Sequence, residues 1–129
     1  MIKAKELRIG NLATIDGNVV EIYEVTHSVI EIANGAEPYS INDIEPIPIT
    51  EDWLLKFGFE IQKTTTKSYH IDCSNGWDSV IFADMQPEGD FWIGIRSISD
   101  GENYVLHTDV KHVHQIQNLY FSLTGDELL

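Results

Sequence analysis

The chain has 129 residues, of which 43% are hydrophobic, and this predicts an ordered protein of one ordinary domain or two small ones. With 21 acidic and 8 basic side chains it carries a formal net charge of −13, which disfavours binding to nucleic acid or to anionic membranes. A single cysteine, Cys73, excludes an intrachain disulfide, and no run resembles a signal peptide or a ~20-residue membrane span, so we expect a cytoplasmic protein.

Residues 1–48 are predicted to form a small β-rich unit of the SH3-like barrel type. A DGN turn at 16–18 separates two β-rich runs in NLATIDGNVVEIYEVT, which is a hairpin signal, and a third run, HSVIEIA, follows. Alternation is imperfect, because apolar residues such as Val19 and Val20 are adjacent. Short strands with mixed faces are typical of a small, strongly bent sheet.

The segment IEPIPIT predicts a boundary, after which residues 49–129 form an α+β unit. Pro46 and Pro48 remove two backbone donors, so this stretch is expected to be an extended connector. Thr50 is placed to cap a short helix at 50–57, with acidic residues in its first turn. Gly58 is placed to end that helix in the left-handed conformation.

Between residues 59 and 107 the hydrophobic period returns to two, and we predict antiparallel strands at 59–63, 67–73, 78–84, 90–97 and 103–107. In the strand at 90–97, one face is apolar and the other only partly so, which indicates a sheet with one covered side. The second face carries Trp92, Gly94 and Arg96, and a glycine in mid-strand indicates a bulge or a close backbone contact. The predicted fold class is therefore α+β, with an SH3-like unit followed by helix, antiparallel sheet and helix.

The segment KHVHQIQNLYFSLTG predicts a final helix at 109–124. Thr108 or Asp109 would cap it and Gly125 would end it. With ~100° of rotation per residue, the apolar arc is about 200° wide, so we expect this helix to be buried.

Polar residues of the final helix are interpreted as structural. His112 and His114 have i, i+2 spacing and fall roughly 160° apart on a helical wheel, which sends their rings apart and disfavours a shared metal. Gln117 lies inside the apolar arc, and a buried amide needs partners. We therefore predict that Gln117 hydrogen-bonds to strand or loop backbone.

Carboxylates crowd the turns of the second predicted sheet, and together with one tryptophan they form the candidate interaction surface. Large aromatic residues on turns are frequent interface anchors, and carboxylate clusters can bind cations or act as acid and base. The alternative is that most of these carboxylates are simply solvated. The candidate residues are Trp77, Asp78, Asp84, Glu88, Asp90, Asp100 and Glu102.

The segment SYHIDC brings three reactive residue types together. On a strand, His70 and Asp72 would share a face and Cys73 would point away. A Cys–His nucleophile pair would need a further histidine, such as His107, from across the sheet. The alternative is a buried structural cysteine. No catalytic residue, metal ligand or cofactor is predicted.

Three segments, KAKELRIGNL, IEPIPITEDWLLKFGF and VKHVHQIQNLYFSLTGDEL, resemble a group of small proteins of Bacteroidetes and of their prophages and mobile elements. They cover about 45 residues in the same order and spacing. The group has no assigned activity, so the resemblance implies a bacterial or phage cytoplasmic protein and no site residues. It fits a scaffold made of the helices and the connector, with specificity on the intervening hairpins.

The leading functional expectation is a non-enzymatic protein-interaction module of phage or mobile-element type, with another protein as its partner. The sequence contains no P-loop, GxGxxG, GxSxG, HExxH or CxxC motif, which favours a binding module over an enzyme. Two alternatives stay open. One is an acidic DNA mimic that inhibits a nucleic-acid enzyme, and the other is a small hydrolase or metal-dependent enzyme using His70, Asp72 or the turn carboxylates.

Overall fold

The computed structural model describes residues 2, 4–26, 29–32, 38–63, 67–73, 79–97 and 104–128. Within these ranges the predicted α+β class is confirmed, with two antiparallel sheets and a few helices. The chain divides into two compact units. Unit 1 is Met1–Pro48 with His112–Asn118, and unit 2 is Ile49–Lys111 with Leu119–Leu129. In the described part of the chain, no helix has both the length and the apolar character needed to cross a bilayer.

Unit 1 contains a curled antiparallel half-barrel, which begins with the expected hairpin. Asp16 and Gly17 both have positive φ angles, 51° and 81°, as the two central residues of a type I′ turn require. The register of β2 and β3 shifts between Ile22 and Glu24, so the alternation of faces is interrupted at this point of the second strand. The strands, in their sheet order, are β1 (Leu12–Ile15), β2 (Asn18–Val25), β3 (Val29–Ile32) and β4 (Tyr39–Ser40).

The core of unit 1 is almost entirely aliphatic. Its buried members come from the strands, from the residues before β1 and from the residues after β4. Most of them are branched aliphatic side chains, which fill the inside of the curled sheet. They are Ile2, Leu7, Ala13, Ile15, Ile22, Ile30 and Ile44.

The last helix, α2, spans Val113–Thr124, so the predicted start at Asp109 is wrong. The backbone of His112 pairs with Pro48 in an antiparallel bridge, and the Val113 N–H donates to the Ile47 carbonyl at 2.8 Å. These strand-like contacts keep the chain extended through His112. The helix therefore begins only after them.

Gln115, and neither Thr108 nor Asp109, stabilises the start of α2. Its Oε1 accepts the N–H of His112 at 3.0 Å, which is the return half of a capping box. At the other end Gly125, with a φ of 77°, ends the helix as predicted.

Gln117 forms the backbone hydrogen bonds that the sequence predicted. The side chain is fully buried in unit 1. Its Oε1 accepts the Leu12 N–H at 2.9 Å, and its Nε2 donates to the Gly10 carbonyl at 3.4 Å. The amide thus fixes the position of the helix relative to the residues that open β1.

Asn118 extends this polar cluster. Its Oδ1 accepts from Arg8 Nε at 3.0 Å and from Asn11 Nδ2 at 2.9 Å, and its Nδ2 donates to the Glu6 carbonyl at 2.7 Å. One half-buried amide therefore bonds three separate positions of the segment before β1, and both of its polar atoms have partners.

Unit 2 begins with a short helix, α1 (Glu51–Lys56), followed by a five-stranded antiparallel sheet. The Thr50 hydroxyl accepts the Trp53 N–H at 3.4 Å, and Gly58 has a φ of 92°, as expected for the two ends of this helix. The strands, in sheet order, are β5 (Glu60–Lys63), β6 (Lys67–Asp72), β7 (Ser79–Met85), β8 (Phe91–Ser97) and β9 (Tyr104–Leu106).

The two faces of this sheet differ as the sequence predicted. On the apolar face Tyr69, Ala83 and Ile93 stand side by side across β6, β7 and β8, and all three are buried. We call the opposite face the polar face. Its described members are Glu60, Ser68, His70, Asp72, Val80, Phe82, Asp84, Trp92, Gly94, Arg96 and Leu106.

Gly94 makes the close contact that its mid-strand position predicted, without a bulge. The register of β7 and β8 is unbroken through the Phe82–Gly94 pair. A Cβ atom at position 94 would lie 2.5 Å from Phe82 Cζ and 2.6 Å from the Val105 carbonyl oxygen. The Phe82 ring therefore occupies the space that a side chain at position 94 would need.

We expect Gly94→Ala to lower the free energy of unfolding by about 1–3 kcal/mol, because the added methyl group overlaps both an aromatic ring and a strand carbonyl. Urea unfolding followed by circular dichroism measures the change. Glu21→Ala, at an exposed position of β2, is the control and should stay within about 0.5 kcal/mol of the parent. Equal stability of the Gly94 variant and the parent would contradict this close packing.

Gln117→Leu should lower the free energy of unfolding by about 1–3 kcal/mol, because it removes the bonds that the fully buried amide makes to the part-buried Leu12 N–H and Gly10 carbonyl. Gln115→Leu is the matched comparison on the same helix. It removes the hydrogen bond to the His112 N–H at a half-buried helix end and should cost less. Thermal unfolding of the two variants tests which of them loses more stability. If the amide of Gln117 contributed nothing, the Gln115 variant would be the less stable of the two.

Candidate functional site

The polar face of unit 2 carries a cleft of about 550 Å³. Strands β5, β6 and β8 supply its titratable and charged side chains, β7 supplies Val80, and the turn after α1 supplies one edge. Because the strands are antiparallel and in regular register, residues far apart in sequence stand beside one another here. The lining residues are Gly58, Glu60, His70, Ile71, Asp72, Val80, Arg96 and Ser97.

His70 and Glu60 form a pair at one side of the cleft. They are directly opposite each other on β6 and β5, and His70 Nε2 lies 3.5 Å from a Glu60 carboxylate oxygen. The Glu60 side chain is 81% exposed, so solvent screens this pair. His70 Nδ1 is buried, and no described residue hydrogen-bonds to it.

Arg96 is held over an aromatic ring on the other side of the cleft. Its guanidinium carbon lies 5.9 Å from the centre of the Phe82 ring, and the residue is half-buried. Among the described residues, none forms an ion pair or a hydrogen bond with this guanidinium. Stacking therefore positions the cation without neutralising it.

Asp72 and Arg96 face each other across β7 without touching. Both pair with Val80, from opposite sides, so two strand spacings, roughly 10 Å, separate their backbones. Val80 is buried between them. The cleft thus has a negative side and a positive side above an apolar floor.

Trp92 lies on the same face, closer to the β7–β8 turn. It is 55% exposed and stands opposite Asp84, whose carboxylate accepts a 2.6 Å hydrogen bond from the Ser68 hydroxyl. Leu106 on β9 is also exposed. An exposed indole and an exposed leucine side chain are therefore available to a partner on the face that carries the cleft.

The structure describes three of the seven candidate interaction residues. Asp84 lies on the polar face, while Glu88 and Asp90 are exposed in the turn between β7 and β8. The other candidates, Trp77, Asp78, Asp100 and Glu102, lie outside the described residues.

Trp92 and Arg96 were not among the candidates. The signal that could have found them is the alternation of β8, which placed both on the less apolar face together with Gly94.

Cys73 is buried at the end of β6, and burial raises the pKa of its thiol. A buried thiol with a raised pKa stays protonated at neutral pH and is a poor nucleophile. Its sulfur lies 3.9 Å from the Ile71 carbonyl oxygen. These observations support the structural interpretation of this cysteine.

The rings of His112 and His114 stack, so the predicted divergence is wrong. Their centroids are 6.0 Å apart and their planes are inclined by 12°. The helical-wheel argument fails because His112 precedes α2 and has strand-like pairing instead of helical geometry.

His114 is buried in unit 1, and neither of its ring nitrogens has a hydrogen-bond partner among the described residues. Burial is the main cause that lowers its pKa to about 4, opposed by the Glu6 carboxylate and reinforced by His112. The imidazole is therefore neutral at physiological pH.

Unit 1 has an acidic groove of about 420 Å³ beside the β1–β2 turn. Its carboxylates come from Asp16, Asp43 and Glu45. Within the described ranges, no three His, Cys, Asp or Glu side chains are arranged to hold a metal ion. The groove therefore offers charge without a metal-binding geometry.

Comparisons of the chain with protein-family models, with curated proteins and with solved structures found no match in any of the three. The resemblance to small Bacteroidetes and prophage proteins stays a prediction.

We expect His114 to make stability pH-dependent. The unfolded chain takes up a proton near the ordinary histidine pKa of 6.5, whereas the folded chain does so only near 4. The stabilisation is therefore complete above pH 6.5 and is lost as the pH falls towards 4, by roughly 3 kcal/mol in total.

Urea unfolding at a series of pH values measures this loss, and His114→Leu is the control. Because leucine does not titrate, the variant should lose less stability over this interval than the parent. Parallel pH profiles for the two proteins would contradict the assignment.

Proposed function

We propose that this protein is a non-enzymatic protein-interaction module that binds its partner through the polar face of unit 2. The observation that carries the proposal is the 55% exposure of Trp92 beside the charged cleft. Tryptophan and arginine are enriched among the residues that dominate binding energy at interfaces. Burying the indole against a partner would recover hydrophobic free energy that the isolated chain leaves unused.

The position of Trp92 within a regular sheet supports this proposal. It belongs to β8, which pairs with β7 on one side and β9 on the other. A side chain on a fixed strand loses less conformational entropy on binding than one on a loop. The exposed Leu106 and the half-buried Arg96 on the same face add apolar contact and charge.

The DNA-mimic alternative fits the polar face less well. A mimic needs carboxylates spaced like duplex phosphates over a continuous surface. Here Arg96 and His70 interrupt the acidic residues, and Trp92 and Leu106 add apolar surface. The acidic groove of unit 1 is the feature that keeps this alternative open.

The enzyme alternative depends on the Glu60–His70 pair. A carboxylate 3.5 Å from one imidazole nitrogen could orient a general base. The other nitrogen, Nδ1, would then have to reach a substrate, but it is buried. This geometry favours a binding role for the cleft over a catalytic one.

We also propose a fold type for unit 1, an element arrangement for unit 2, and a location and origin for the protein. The tight β1–β2 turn and the bulge in β2 support an SH3-like unit, and the element order after Pro48 supports a helix, sheet and helix arrangement. The buried, reduced Cys73 is compatible with a cytoplasmic location, and the sequence resemblance points to a bacterial or phage origin.

Affinity capture from a lysate of the organism that encodes the chain tests whether the protein binds a partner through the polar face of unit 2. Trp92→Ala should reduce recovery of the specific partner at least ten-fold, which corresponds to a loss of about 1.4 kcal/mol. Tyr23→Ala is the matched control, because Tyr23 is a 64% exposed aromatic residue on a strand of unit 1. It should leave recovery unchanged.

Hydrogen exchange of the captured complex then locates the contact. Protection should map to β7, β8 and β9. Recovery that is unaffected by Trp92→Ala but lost with Tyr23→Ala would show that the polar face of unit 2 is not the binding surface.

A further inference from the structure

We infer that the cleft on the polar face binds a carboxylate group of the partner, with Arg96 as its receptor. This inference rests on the proposed function and names the chemistry that the partner must present. The carboxylate can belong to an Asp or Glu side chain or to a chain terminus, and these two sources are distinguished below.

The first argument is that no described acidic side chain pairs with Arg96, although the protein is strongly acidic. Acidic side chains outnumber basic ones by 21 to 8, yet no described residue pairs with this guanidinium. It is half-buried, so water does not solvate it fully. A partly desolvated charge without a counter-ion is costly, and an external anion would offset that cost.

The second argument is geometric. Phe82 supports the Arg96 guanidinium, so the group is positioned before any ligand arrives. No described residue uses its N–H donors. A planar guanidinium fork matches the two oxygens of a carboxylate and donates two parallel hydrogen bonds to them.

The third argument limits the ligand to a single negative charge. Asp72 and Glu60 line the same cleft, and the whole chain carries a net charge of −13. They repel phosphates and polyanions more strongly than a monovalent carboxylate. The buried Val80 gives the cleft an apolar floor on which the apolar part of a peptide can pack.

Two-dimensional NMR titration of the full chain tests the inference with small probes. The probes are an acetylated and amidated Gly-Glu-Gly peptide, an acetylated Gly-Gly-Gly peptide with a free carboxylate, the neutral Gly-Gln-Gly counterpart, and inorganic phosphate. We expect at least one carboxylate peptide to shift the amide signals of Asp72, Val80 and Arg96. The stronger of the two identifies the source of the carboxylate, and the neutral peptide and phosphate should bind at least ten-fold more weakly.

Three variants make the test specific. Arg96→Gln should lower the affinity for the carboxylate peptide at least ten-fold. Arg96→Lys keeps the charge but loses the planar fork, so its affinity should lie between those of the parent and of Arg96→Gln. Asp72→Asn should tighten binding about two-fold, because it removes a like charge roughly 10 Å away. The Lys and Asn variants keep the inference testable if Arg96→Gln does not fold.

Several results would overturn the inference. They are equal binding of the neutral peptide, preference for phosphate, undiminished binding by a folded Arg96→Gln variant, or no binding of either carboxylate peptide. If any of these results is found while Trp92→Ala still reduces partner recovery at least ten-fold, the carboxylate assignment is wrong and the proposed protein-interaction function is retained. If Trp92→Ala has no effect on partner recovery, the proposal that the protein binds its partner through the polar face of unit 2 is wrong.

Discussion

The polar face of unit 2 depends on the absence of a side chain at Gly94. Phe82 occupies that space, and the Arg96 guanidinium lies over the Phe82 ring. One missing methyl group therefore sets the position of an aromatic residue on β7, and that residue sets the position of a cation on β8. The apolar floor of the cleft comes from Val80, which is buried between the charged side chains of Asp72 and Arg96.

In unit 1, two amide side chains of α2 set the orientation of the helix. Gln117 and Asn118 bond to groups of the segment that leads into β1, and this fixes how the first half of α2 is rotated. Such bonds add little net free energy, but a helix in another register would leave the same groups unpaired. His114, whose ring nitrogens have no described partners, is tolerated because it stays neutral.

The candidate site was predictable in part. Alternation along a strand correctly placed His70 with Asp72, and Trp92 with Arg96, on common faces, because neighbouring positions on a strand point in opposite directions. It could not show that these two pairs share one face of one sheet. That depends on the pairing order β6-β7-β8 and its register, which bring residues more than twenty positions apart to either side of Val80.

By itself the sequence determined the α+β class, the sheet with one covered side, the tight contact at Gly94 and the backbone bonds of Gln117. These follow from local periodicity, from the space that a glycine leaves and from the need of a buried amide for partners. Only the tertiary structure decided that α2 begins after His112 and that this ring stacks on His114. The reason is that the pairing with Pro48, more than sixty residues away, holds His112 extended, and no local pattern encodes a contact at that distance.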